Sequence, residues 1–190
     1  MASTNRKIVN STYISLDGVI QNPHHWPSPD VEDENAGVIQ TDLLMSCDAV
    51  LMGRLTYESF APVWSSRSGD PFTDRMNSMA KYVVSTTLKN PDWNNTTVIA
   101  DNVVDEIARL KAEPGQDIVQ YGFGPIAFAL LEHGLLDELR LWIHPFFVGH
   151  GGPEDLLFRS CTLTKLKLVD NVTLKSGIVI LSYEFEHNDA

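Results

Sequence analysis

Leu51-Met52-Gly53-Arg54-Leu55-Thr56-Tyr57-Glu58-Ser59-Phe60 is the stretch on which the fold turns. It joins a short apolar run, Asp48-Ala49-Val50-Leu51-Met52-Gly53, to a segment in which Thr56 to Phe60 begins a helix. A short apolar run closed by glycine reads as a buried strand. In open α/β sheets, ligands sit beyond the carboxyl ends of strands, where helix N-termini present free amides. At this junction Gly53 would let a ligand approach the backbone. Arg54 offers a planar fork of donors suited to phosphate, and the Thr56 hydroxyl can cap the helix or contact an oxyanion.

A second junction of the same kind lies downstream. The strand Asp117-Ile118-Val119-Gln120-Tyr121 runs into Gly122-Phe123-Gly124-Pro125 and then a helix to His133. Gly122 and Gly124 would leave room for a diphosphate, and Pro125 suits a first helical turn. Around these junctions, strands are expected at residues 7–15, 81–85 and 97–100, and helices at 32–47, near 73–79, and through Ile107 and Leu110. The order then changes: 137–148, 165–175 and 178–186 read as strands, with Lys175-Ser176-Gly177 as a hairpin turn. Alternating strands and helices followed by a β-rich tail predict a mostly parallel mixed sheet with antiparallel strands at one side. No repeat or linker interrupts residues 1–190, which read as a single domain.

Composition narrows the function. With 14 basic against 25 acidic residues and a formal charge of −11, the chain lacks the basic footprint of a nucleic-acid protein. An anionic cofactor would need local donors strong enough to overcome that field. Cys47 and Cys161 fit no metal-ligand spacing and read as reduced structural thiols. His24-His25 with Asp30 is a poor metal site, because adjacent histidines should point apart and no third ligand is spaced for closure. No stretch resembles a signal peptide or a membrane span, so a cytoplasmic protein is expected. His144 reads as structural, and Trp142, Phe146 and Phe147 as core or subunit interface.

The decisive stretch closely resembles the Met-Gly-Arg-x-Thr-[Trp/Tyr]-Glu-Ser signature of dihydrofolate reductases. Ser15-Leu16-Asp17-Gly18-Val19-Ile20 is similar to the end of that family's first strand and its turn, and Trp26-Pro27 to the tryptophan of its active-site loop. Tyr82 to Thr86 and Gly122-Phe123-Gly124 resemble its adenosine-side strand and its diphosphate turn. The tail, Leu130 to Leu141 with Ile143-His144-Pro145 and Gly149-His150-Gly151, resembles the reductase domain of bacterial riboflavin biosynthesis, and above all that domain's stand-alone relatives.

The resemblance implies a dihydrofolate-reductase-like three-layer α/β fold with helices on both faces of the sheet and an antiparallel C-terminal hairpin. It implies an NADPH-dependent reductase that passes hydride to a small heterocycle of ribosylaminopyrimidinone or pterin type. Carried over by position, Gly53, Arg54 and Thr56 would hold cofactor phosphates. Ser85 and Thr86 would lie by the adenosine ribose and its extra phosphate, and Gly122, Phe123, Gly124 and Pro125 would cradle the diphosphate. Tyr13 and Ile20 would flank the nicotinamide through their backbones. The carboxylate that dihydrofolate reductases place after the loop tryptophan has no exact counterpart: counting from Trp26 lands on Val31, so Asp33 or Glu34 are the candidates for proton delivery. The rivals are a same-fold reductase of an unrelated small molecule and a nucleotide-binding module without turnover. A homodimer is expected from the resemblance and the aromatic tail strands.

Overall fold

Strand β1 (Ile8–Ser15) can take the middle of a sheet because its side chains alternate between two covered faces, and every residue but Tyr13 is buried. The computed structural model describes residues 6–157 and 163–186. The other strands are β2 (Cys47–Gly53), β3 (Ala80–Val84), β4 (Thr96–Ile99), β5 (Asp117–Tyr121), β6 (Glu138–His144), β7 (Leu166–Thr173) and β8 (Val179–Phe185). They form one eight-stranded sheet in the order β4-β3-β2-β5-β1-β6-β8-β7. The pairs from β4 to β6 are parallel, and β8 and β7 join antiparallel, as the alternation and the β-rich tail predict.

Helices cover both faces. Leu43 and Leu44 of α1 (Glu34–Met45), Tyr57 of α2 (Arg54–Trp64) and Met76 of α3 (Pro71–Ser78) pack with Val50, Met52, Val119 and Tyr121. Ile107 and Leu110 of α4 (Val103–Ala112) and Ala127 and Leu130 of α5 (Pro125–Glu132) pack on the opposite side with Ile8, Leu51 and Ile118. The result is the three-layer arrangement expected from the sequence.

Boundaries differ in places, for identifiable reasons. The strand expected over 137–148 stops at His144, because Pro145 has no amide to extend the ladder. Helix α2 starts at Arg54 rather than Thr56, with Gly53 as its N-cap. The hairpin turn closes through the Gly177 amide donating to the Leu174 carbonyl at 3.0 Å, and Gly177 has φ +83°. Cys47 is fully buried; Cys161 lies outside the described residues. Among the described residues, no helix is long and apolar enough to cross a membrane.

Candidate active site

The two glycine junctions meet at a topological switch point. Strands β2 and β5 are neighbours, yet α2 leaves β2 toward β3 on one face, while α5 leaves β5 toward β6 on the other. Such a reversal opens a crevice at the carboxyl ends of the strands. Gly53 and Gly124 are the N-caps of α2 and α5, and neither helix start has a side-chain cap, so first-turn amides face the crevice without intrahelical partners. Pro125 occupies the first turn of α5.

The glycines serve different ends. A Cβ at Gly122 (φ +83°) would lie 2.9 Å from Thr56 Oγ1, and one at Gly53 would lie 3.2 Å from Ile126 Cδ1. These two positions let the helix starts close on each other. A Cβ at Gly124 would meet nothing within 4 Å, so this is the position that opens space for a ligand. At Gly122 the left-handed backbone and the contact with Thr56 are themselves reasons for glycine.

Beneath the turn runs a buried polar network that sequence reasoning missed. Asn10 Nδ2 donates to Gln120 Oε1 at 3.1 Å and to the Gly122 carbonyl at 3.0 Å, and Thr12 Oγ1 donates to Asn10 Oδ1 at 2.7 Å. All three side chains are buried. The available signal was the polar run Asn10-Ser11-Thr12 within β1 and Gln120 within β5.

Several expected cofactor residues are engaged elsewhere. Arg54 Nη1 donates to both Glu58 carboxylate oxygens at 2.8 Å, at helical spacing. Ser85 Oγ accepts the Thr87 and Leu88 amides at 3.1 and 2.9 Å, so it caps its own turn and leaves Thr86 as the exposed hydroxyl. The Phe123 ring packs edge-on against Phe128 in the core, which leaves its backbone to face the crevice. The Ile20 amide donates to the Asp155 carbonyl at 2.8 Å and its side chain is buried.

Beside the crevice, β1 outruns β5. Their ladder ends at Ser11 opposite Tyr121, whereas β1 stays paired with β6 to Ser15 opposite His144. Over residues 12–15 the β5 side of β1 is therefore left without a strand partner. Tyr13 stands here, its ring 5.6 Å from Trp142 and 4.9 Å from His144, and its hydroxyl accepts from Gln40 Nε2 at 3.2 Å. Burial raises the Tyr13 phenol above its ordinary value and pushes the His144 imidazole down to about 4. Trp26 lies edge-on to His144 at 5.3 Å and to Phe146 at 5.4 Å. Outside this aromatic line is a groove of about 360 Å³, with walls that include Asn22, His25, Trp26, Phe146, Phe147 and His150.

The acidic candidates stand at the start of α1. Asp33 is the N-cap of α1: one oxygen accepts the Asn35 amide at 3.0 Å and the other the Lys175 amide at 2.5 Å. The Lys175 amide is the main reason its carboxyl sits below the usual range. Asp33 thus ties α1 to the hairpin turn, and Glu34 is exposed in the first turn. Asp17, not singled out from sequence, holds the groove wall. It accepts the Ser15 hydroxyl at 2.5 Å and the Val148 and Gly149 amides at 3.1 and 2.8 Å. The Ser15 bond is the main cause of its descent to about 2. His24 and His25 have ring centroids 4.0 Å apart, contrary to the expectation that they point apart. Among the described residues no three or more His, Cys, Asp or Glu gather as a metal site.

Comparison with known proteins gives a consistent picture. The model of the RibD C-terminal domain family matches residues 6–180. An uncharacterized Bacillus subtilis protein, YyaP, is 32% identical over 185 residues, covering 95% of each chain. A candidate riboflavin biosynthesis protein from a Shewanella species has a similar structure, with a TM-score of 0.71 at 20% identity over 95% of this chain and 99% of that one. The deaminase/5-amino-6-(5-phosphoribosylamino)uracil reductase of Thermotoga maritima aligns with a TM-score of 0.66 at 17% identity. That alignment covers 96% of this chain and 57% of the larger protein.

Proposed function

Because the chain belongs to the RibD C-terminal domain family, we propose that it is an NADPH-dependent reductase of a small flat heterocycle, of the pyrimidinone or pterin type. The observation that carries this reading is the crevice at the switch point, where two uncapped helix starts converge over Gly124. A dinucleotide needs such a place: amides for its diphosphate and no side chain in the way. The residues present fit that demand despite a formal charge of −11, because the donors are local and fixed.

Phe123, Gly124 and the amides that follow Pro125 in the first turn of α5 would hold the diphosphate by backbone, with Pro125 setting the helix start and Gly122 and Gly53 permitting the approach of the two helices. Arg54, released from Glu58, and the exposed Thr86 would meet the ribose phosphate. The unpartnered edge of β1 at Tyr13 would take the nicotinamide amide. A bound nicotinamide supplies the hydride, and the protein supplies position and exclusion of water. Trp26 and its loop would close over the reacting ring. A homodimer is part of the same reading: β7 is an edge strand with seven of eight residues exposed, including Leu166, Leu168 and Val169, and exposed edges are natural pairing surfaces.

Thermal melts at equal concentrations of NADPH and NADH test the proposal. A ligand that binds only the native state stabilises it by about 2.7 kcal/mol at a hundredfold excess over Kd. NADPH is expected to raise Tm more than NADH. Equal shifts would remove the ribose-phosphate argument, and no shift would remove the cofactor. Stabilisation without oxidation of NADPH by any heterocycle would favour a nucleotide-binding module.

A further inference from the structure

Eight buried side-chain polar atoms have no hydrogen-bond partner among the described residues, and six of them belong to Ser11, Gln40, Tyr121, Arg140, Trp142 and His144. Five of these residues lie on adjacent strands β5, β1 and β6 and project to one face, since Arg140, Trp142 and His144 alternate in step with Ser11 and Tyr13. Gln40 is on α1 directly above, with its other amide atom on Tyr13. Folded proteins leave few such groups, and a cluster of them on one face needs a reason.

His144 stands at the end of this set nearest the groove. The residue is more than nine-tenths buried, and Nε2 is the atom without a partner. Two of the rings in contact with it, Trp26 and Phe146, are also walls of the 360 Å³ groove. His144 thus lies directly behind two walls of a space of ligand size. Asp17 and Asp33 direct both carboxylate oxygens to amides or a hydroxyl, and neither pairs with His144 Nε2.

We propose that His144 is a substrate-contact residue: its Nε2 hydrogen-bonds the ring of a flat, uncharged heterocycle that enters by the groove beneath Trp26. The inference rests on the reductase reading and adds to it a specificity residue. An imidazole pushed down to about 4 is neutral near pH 7, so it offers a hydrogen bond without charge. Rings with an N–H or a carbonyl in the plane match that offer, and the aromatic walls match their faces.

The test uses the whole protein saturated with NADPH and 5,6-diaminouracil as the probe, titrated calorimetrically. His144→Phe keeps a ring against Tyr13 and Trp26 but removes Nε2. His144→Gln restores a polar atom near the same place. The expected result is a loss of about tenfold or more in probe affinity for the Phe variant, and a change within about threefold for Gln. NADPH affinity should be unchanged in both, and the ligand-free Tm of the Phe variant equal to or above wild type, since an unpartnered buried group is gone. Wild-type affinity in the Phe variant overturns the proposal. So does a fall in Tm with equal loss of probe by both variants, which marks a packing role. Failure of NADPH-saturated wild type to bind the probe overturns it as well, without touching the cofactor reading. Failure of NADPH itself to bind is the separate result that removes that reading.

Discussion

The crevice between β2 and β5 and the aromatic corner at the end of β6 lie on the same edge of one sheet but are built on opposite terms. The crevice works through backbone: glycines, helix starts and a turn held from below by Asn10, with the hydrogen bonds of that support all made. The corner works through side chains, and its polar atoms on Trp142 and His144 are buried without partners. A site for a shared cofactor can be made of invariant amides. A site for a particular substrate needs particular side chains, and when empty it carries the energetic cost of their unmet hydrogen bonds.

Gly122→Val should break the first half of this comparison most severely. Placing a branched side chain at φ +83° against Thr56 combines left-handed strain with overpacking, a cost of about 2–5 kcal/mol. Urea melts should show that loss, and NADPH binding should disappear with it. Gly124→Ala is the sharper companion: the space is open, so stability should change by about 0.5 kcal/mol or less while NADPH weakens about tenfold. Normal NADPH binding by the Gly124 variant would show that the diphosphate does not lie there.

The second half is sharpened by pH. The folded His144 resists a proton that the unfolded chain accepts near 6.5, and takes it only near 4. Below pH 6.5 the unfolded state therefore binds more protons, and stability falls as pH drops through that window. The full effect is about 3 kcal/mol between pH 7 and pH 4. His144→Phe should remove that slope between about pH 7 and 5 in chemical denaturation, below which Asp17 and Asp33 add a fall of the same sign. A slope that persists in the variant would place the titration elsewhere.

Arg54→Ala has the smallest effect on the fold. Its pair with Glu58 is solvent-exposed on both sides and worth at most ~0.5 kcal/mol. NADPH should nevertheless weaken by about 1.5–3 kcal/mol, the scale of a hydrogen bond to a charged group. NADH should lose much less if the guanidinium meets the ribose phosphate, and as much if it meets the diphosphate. Titration of both cofactors separates these cases, and an unchanged NADPH constant would show that Arg54 belongs to Glu58 alone.

Much of the crevice was legible because its determinants are local. A strand closed by Gly53, a turn at Gly122 to Gly124 and Pro125 at a helix start are constraints that a few consecutive residues impose on their own backbone. The alternation of elements and the Lys175-Ser176-Gly177 turn likewise announced a parallel sheet with an antiparallel end. Which strands lie side by side was decided only by tertiary structure. The insertion of β5 between β2 and β1 brings Thr56 against Gly122 and Asn10 beneath the Gly122 carbonyl. The same holds for Asp33, whose partner Lys175 is 142 residues away, and for Ser85, whose hydroxyl turns back on its own loop. The Tyr13–His144–Trp26 line also joins three distant segments. Periodicity tells which face a side chain takes, but not which neighbour it meets there. That choice falls to the packing of the whole chain, and so does the difference between a carboxylate that caps a helix and one that could have served the substrate.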